Sequence, residues 1–244
     1  MCGRFVSTAG PDRIAAYFDT VLPTEAVAES LGENYNVAPT QDIYAVVANG
    51  TAADSGARVD AFHWGLIPSW AKDRKIASRM INARSETLAE KPAFKGLFAK
   101  KRCIIPMDGF YEWQPGTPDG PLNAKGQPLK QPMFIHRRDG DPLAVAGLWT
   151  AWKDPDDPEG RFLHSATIIT TAANETMRAV HDRMPALLTA EHWSTWLDPS
   201  NGDVSSLGAL LDGGPPDLLT MEPVSTDVNN VRNNRPELIE PVSR

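Results

Sequence analysis

Apolar residues in this chain come in short runs cut off by glycine, proline, amide and acidic residues, and that punctuation limits the fold more than any other feature. Residues 43–48, 59–64, 103–106, 110–113, 133–137, 143–150 and 162–170 each have the length and the β-branched or aromatic content of a strand. Asp139-Gly140-Asp141 suits a tight hairpin turn, and Asn49-Gly50 marks a second hairpin between 43–48 and 59–64. Helical spacing is confined to a short segment after Gly10-Pro11, with Ile14, Tyr17 and Phe18 on one face, and to residues 174–182 and 189–197. Thr189 is placed to cap the last of these and Pro199 to stop it. Residues 114–131 and 153–160 read as exposed loops. Many short strands with few helices predict an α+β fold, a mainly antiparallel, barrel-like β core with peripheral helices. A chain of 244 residues, 41% hydrophobic, suits one domain over 1–244. The polar tail from about residue 227 is either disordered or packed back as a final strand.

Composition removes several classes of function. Two cysteines, Cys2 and Cys103, are too few for a disulfide framework, and Cys103 lies in an apolar run that marks it as core. No signal-like segment follows the start, and no apolar stretch approaches the ~18 residues of a membrane span, so a cytoplasmic protein without membrane contact is expected. Histidines 63, 136, 164 and 192 lack ligand spacing, so neither a metal nor a cofactor is expected. Walker, dinucleotide and nucleophile-elbow motifs are absent from the sequence. The net charge of −7 argues against a polyanionic partner until its distribution is considered. Between Lys72 and Arg102 ten Lys/Arg stand against three acids, a local +7 that leaves −14 for the remainder. Such a segment is either a solvated basic face or a groove for phosphates.

Chemistry concentrates at Cys2. A small second residue permits removal of Met1, which would leave an α-amine and a thiol on one residue. Their reference pKa values, about 7.7–8.0 and about 8.5, make both nucleophiles available near neutrality. An aldehyde can condense with the amine and then accept the thiolate, closing a thiazolidine. The alternative is a small apolar filler in a buried N-terminal strand. Four further clusters hold residue types this chemistry needs. Asn36-Val37-Ala38-Pro39 forms a turn; Asn82 can orient a hydroxyl and Arg84 can hold a phosphate. Glu112 lies between aromatics, where burial suits a carboxyl to general-acid work, unless it only caps a strand end or pairs with a lysine. His181 beside Asp182 can move protons, or can simply favour a helix C-terminus. Trp70 ahead of the basic segment suits stacking with an unpaired base, whereas Trp64 is expected in the core.

Met1-Cys2-Gly3-Arg4-Phe5, Tyr35-Asn36-Val37-Ala38-Pro39, Trp64-Gly65-Leu66-Ile67-Pro68 with Trp70, Ile81-Asn82-Ala83-Arg84-Ser85-Glu86, Gly109-Phe110-Tyr111-Glu112-Trp113 and His181-Asp182-Arg183-Met184-Pro185 together resemble the SOS-response-associated peptidase (SRAP) family. The resemblance runs from residue 2 to about residue 242. It implies a monomeric sensor of abasic sites in single-stranded DNA that links itself covalently to the lesion, nucleoid-associated where DNA is damaged. It further implies Cys2 as nucleophile, Asn82 positioning the opened sugar, Glu112 assisting proton transfer and reversal, and His181 as acid or base. Arg4, Arg84 and Arg183 would meet phosphates, with Asn36, Pro39 and Trp70 along the strand. Two rival functions stand beside it: an N-terminal-cysteine peptidase acting on Met1 or on a protein partner, which the same Cys2, Glu112 and His181 could serve, and a non-catalytic single-strand binder whose cysteine is structural.

Overall fold

The computed structural model describes residues 2–21, 24, 27, 31–48, 56–123 and 125–242. Its strands, in chain order, are β1 (Phe5–Ser7), β2 (Asn34–Val37), β3 (Asp42–Ala48), β4 (Ala57–Trp64), β5 (Asn82–Arg84), β6 (Arg102–Met107), β7 (Gly109–Gln114), β8 (Gln131–Arg137), β9 (Leu143–Lys153), β10 (Phe162–Ala172), β11 (Arg183–Pro185) and β12 (Leu219–Pro223). Helices α1 (Pro11–Tyr17), α2 (Pro92–Lys100), α3 (Trp193–Leu197) and α4 (Val204–Ala209) are all short.

Alternation along the strands closes a barrel. The pairing order β10-β4-β3-β6-β9 returns through β9 to β10, so five strands share one interior. All of these pairings are antiparallel except β4 with β10. Inward residues such as Ile43, Ala45, Val47, Phe62, Cys103, Ile105, Val145 and Ile168 form one apolar cluster. Their outward neighbours, among them Tyr44, Val46, Ile104, Ala146 and Leu148, pack against residues of α1 to α4. Closure is tight at Gly147, which is paired with Cys103 on β6 and Ile168 on β10. A Cβ there would lie 2.8 Å from the Cys103 Sγ and 3.0 Å from the Thr167 carbonyl oxygen, so no larger residue fits without movement.

A second sheet, β12-β8-β7-β1-β2, lies against the barrel. One face contributes Phe5, Val37, Phe110 and Ile135 to the barrel's cluster. On its other face Val6, Tyr111 and Phe134 meet Val224, Val228 and Leu238 of the tail. The tail therefore packs back, through 3₁₀ turns at Thr226–Asn229 and Pro236–Ile239 and a single bridge of Val224 with Pro241, and not as a strand.

The antiparallel barrel, the N-terminal strand and α1 follow the sequence reading, and Trp64 and Cys103 are fully buried as expected. Other elements differ. Residues 174–182 form only a 3₁₀ turn at Met177–Ala179, because β10 and β11 pair through Ala172 and Arg183 and the Ala173 N–H donates to the Asp182 carbonyl. The intervening residues are thus a hairpin connection with no room for a longer helix. Residues 189–197 divide into a 3₁₀ turn and α3, and the Thr189 hydroxyl contacts His192 Nδ1 instead of capping the backbone. Asn49-Gly50 lies outside the described residues. No helix among the described residues is long and apolar enough to cross a membrane.

Candidate functional site

Cys2 enters the molecule just ahead of β1. The Tyr111 N–H donates to the Arg4 carbonyl at 2.9 Å, which continues the β1–β7 ladder toward the N-terminus. Period-two alternation on β7 sends Tyr111 to the tail face and Phe110 into the barrel cluster. Glu112 shares the parity of Phe110, and the field of its carboxylate reaches the Cys2 thiol. Cys2 is itself 0% exposed, within the barrel's apolar cluster. Burial first, and Glu112 second, push its thiol well above the ordinary cysteine range. The reference value makes a thiolate available near neutrality, and this buried arrangement disfavours that form. In this arrangement the sulfur is protonated, and a base must remove its proton as it reacts.

Asn82 joins the same place from another direction. As the first residue of β5 it pairs in parallel with Ile168 of β10, and its Nδ2 donates to the Cys2 carbonyl at 2.8 Å. Its Oδ1 is buried without a hydrogen-bond partner among the described residues. Trp64 fixes the approach, stacking edge-on against Phe5 at 5.0 Å and donating from Nε1 to the Ile81 carbonyl. The next residue, Gly65, has φ +125°, and a Cβ there would fall 2.5 Å from the Ala77 carbonyl oxygen. Only glycine allows the chain to turn away at that point.

His181 lies on the connection between β10 and β11, whose Met177 and Val180 belong, with Met184 of β11, to the cluster that contains Cys2. Its Nδ1 is 2.9 Å from the Arg183 N–H and 2.8 Å from Asp182 Oδ1. The first contact needs a bare nitrogen and the second a protonated one, so Nδ1 satisfies one of them at a time, as the ring's tautomer dictates.

The residues expected along a strand divide into two groups. Trp70 is 65% exposed, Arg84 is exposed and Pro39 is half-buried. Arg183, only 14% exposed at its side chain, grips both carboxylate oxygens of Glu86 and donates to the Thr170 carbonyl at 2.6 Å. Arg84 pairs with Thr170 in the ladder, so Arg84, Glu86 and Arg183 share one locus. Arg4 and Asn36 have other work. Arg4 Nη1 donates to Asn36 Oδ1 and to the Val228 carbonyl, and the guanidinium lies over Trp113. Asn36, 1% exposed, donates from Nδ2 toward the Val228, Asn230 and Asn233 carbonyls. Their polar groups hold the tail on the second sheet. The basic segment loses one member in the same way. Arg102 is buried and donates to the carbonyls of Phe98, Trp196 and Asp198. Lys72, Arg74, Lys75, Arg79, Arg84, Lys91, Lys95 and Lys100 remain exposed.

Sequence reasoning assigned no role to Glu86, although it lies within a quoted motif, and none to Thr170. The first is visible in sequence as an acid inside a basic run; the second carries no local signal, because only the β10 pairing brings it to the arginines.

Comparison with known proteins places these features in company. The family model described as SOS response associated peptidase (SRAP) matches residues 1–231. A protein of Bacillus subtilis (strain 168) named abasic site processing protein YoqW is 44% identical over 242 residues, covering 98% of this chain and 99% of its own. The abasic site processing protein HMCES of Xenopus tropicalis is 35% identical, covering 97% of this chain and 77% of its own. A crystal structure of a protein from Bacteroides thetaiotaomicron superposes with a TM-score of 0.82 at 27% identity, covering 99% of this chain and all of that one.

Proposed function

The chain belongs to the SOS response associated peptidase family, and from that premise we propose that it processes abasic sites in single-stranded DNA by forming a covalent thiazolidine through Cys2. The observation that carries this reading is the convergence of Glu112 and Asn82 on Cys2 from two separate sheets. The names of its relatives, abasic site processing proteins, support the substrate.

The reaction begins with loss of Met1, which frees the α-amine. An abasic deoxyribose opens to its C1′ aldehyde, with His181 handling the proton of the ring oxygen. The amine of Cys2 adds to the aldehyde and one water leaves, giving an imine. Because the thiol is held protonated, Glu112 takes its proton as the sulfur attacks the imine carbon, and the ring nitrogen ends with that proton. Two nucleophiles on one residue make the closure intramolecular, where effective concentrations reach on the order of 10⁵ M or more. Asn82 holds the Cys2 carbonyl and turns its buried Oδ1 to a sugar hydroxyl, a donor that satisfies it. Trp70 and Pro39 line the path of the bases, and Arg84 with Arg183 meets phosphates. Arg4 and Asn36 act through the position of the tail. The chain acts as a monomer.

Full burial of the Cys2 side chain favours one other reading, a non-covalent single-strand binder with a structural cysteine. Incubation with an abasic oligonucleotide, followed by a denaturing gel and intact-mass measurement, separates the two. The covalent reading expects Met1 to be absent and the mass to rise by that of the oligonucleotide less one water, with no adduct of comparable stability from Cys2→Ala. An equally stable adduct from Cys2→Ala, or none from the wild type, would overturn it. Retention of Met1 by Cys2→Ala alone would point to autopeptidase chemistry at the same site.

A further inference from the structure

The thiazolidine chemistry leaves one polar cleft unused. Its volume is about 560 Å³, within the range of small-ligand sites, and its walls include β2, the Thr40-Gln41 turn, the start of β3 and His63 of β4, with exposed Arg74 on one side. Thr40 follows Pro39 directly, and Arg74 lies in the segment that begins at Trp70, so the cleft opens beside the path proposed for the bases.

Three features distinguish this cleft. His63 is 5% exposed, and its Nδ1 lies 3.6 Å from Asp42 Oδ1. Asp42 is largely exposed to the cleft. Thr40 holds φ +71°, a left-handed conformation costly for a β-branched residue, and is kept there by its N–H bond to the Trp64 carbonyl at 2.9 Å. Strain of this kind persists where the surrounding structure imposes it, and it clusters at ligand sites.

The cleft's chemistry is that of an acceptor. Contact with His63, and more weakly the field of Arg74, holds the Asp42 carboxyl below the ordinary carboxylate range, so it is ionised at neutral pH and can only accept hydrogen bonds. Glu33 adds a second carboxylate to the lining. Among the four bases, guanine alone presents two adjacent donors on one edge, N1–H and the N2 amine. Adenine and cytosine set one amine beside a ring acceptor, and thymine sets one donor between two carbonyls. The same carboxylates repel a phosphate, which leaves Arg74 as the cleft's own contact for the backbone.

We infer that this cleft receives an unpaired guanine flanking the lesion, its Watson–Crick edge on Asp42 and its phosphate at Arg74. The inference rests on the single-strand reading above and adds a base preference to it. The test uses intact oligothymidylate carrying one guanine, adenine or cytosine, with unsubstituted oligothymidylate as reference, so covalent capture plays no part. Wild-type protein should bind the guanine strand at least about fivefold more tightly than the reference. Asp42→Asn should bring that ratio close to one, whereas Arg74→Ala should weaken both strands and preserve the ratio. Both affinities come from one preparation, so a partly unfolded variant lowers them together and leaves the ratio intact. Equal affinity for all four strands, or an unchanged ratio in Asp42→Asn, would overturn the inference. Base preference without an abasic adduct would sink the covalent reading alone; an adduct without base preference would sink the cleft alone; failure to bind any strand would sink both.

Discussion

Arg183 meets a carboxylate before it meets any phosphate. Glu86 occupies both of its terminal nitrogens, and the Thr170 carbonyl takes a further proton of one of them. A strand phosphate must displace Glu86 to gain the bidentate contact that guanidinium geometry favours. Glu86→Gln should therefore tighten binding of single-stranded DNA several-fold at low salt, by freeing one positive charge. The plot of log affinity against log salt should steepen by about 0.7 for one added phosphate contact. Fluorescence anisotropy across a salt series measures both. A loss of affinity would mean instead that Glu86 holds Arg183 in place for the strand. Cys2 carries the complementary lesson. Its reference pKa makes it a ready nucleophile in the sequence, whereas burial and Glu112 keep its proton on until the reaction takes it.

Among the elements, β9 carries the barrel, since it pairs with β6 along one edge and β10 along the other. Its Gly147 faces Cys103, Ile105 and the Thr167 carbonyl with no room for a Cβ. Gly147→Ala should destabilise the protein by about 1–3 kcal/mol, because Cys103, Ile105 and the Thr167 carbonyl cannot all withdraw from the added methyl. A urea titration should show a lower midpoint with an unchanged slope; an unchanged midpoint would mean that the barrel relaxes at no cost. The connections obey the same logic of pairing. Residues 174–182 have helical content but bridge two strands already in register, so tertiary pairing overrides propensity there.

At the scale of the molecule, Asn36 and Arg4 clamp the tail to the second sheet. Asn36→Ala strips buried carbonyls and a guanidinium of their partner and should cost about 1–3 kcal/mol. Limited proteolysis should then cut within residues 226–242 much sooner than in the wild type; equal resistance would show that apolar packing of Val228 and Leu238 suffices. Much of this architecture is legible in the chain itself. Period-two apolar runs bounded by turns specify strands, their number and shortness specify an antiparallel barrel, and six motifs specify the family and bring Cys2, Asn82 and Glu112 into consideration. The sequence also shows that the cations are concentrated between residues 72 and 102. It leaves undecided which of them face solvent. Arg102 is buried while its neighbours are not, because burial depends on which strand lies opposite. Tertiary structure alone decides that Arg4 and Asn36 hold the tail, that Glu86 closes on Arg183, and that His63 and Asp42 line a cleft. The reason is physical: local pattern sets backbone conformation, but the partners of a side chain are set by strand register between segments remote in sequence, and no local signal encodes that register.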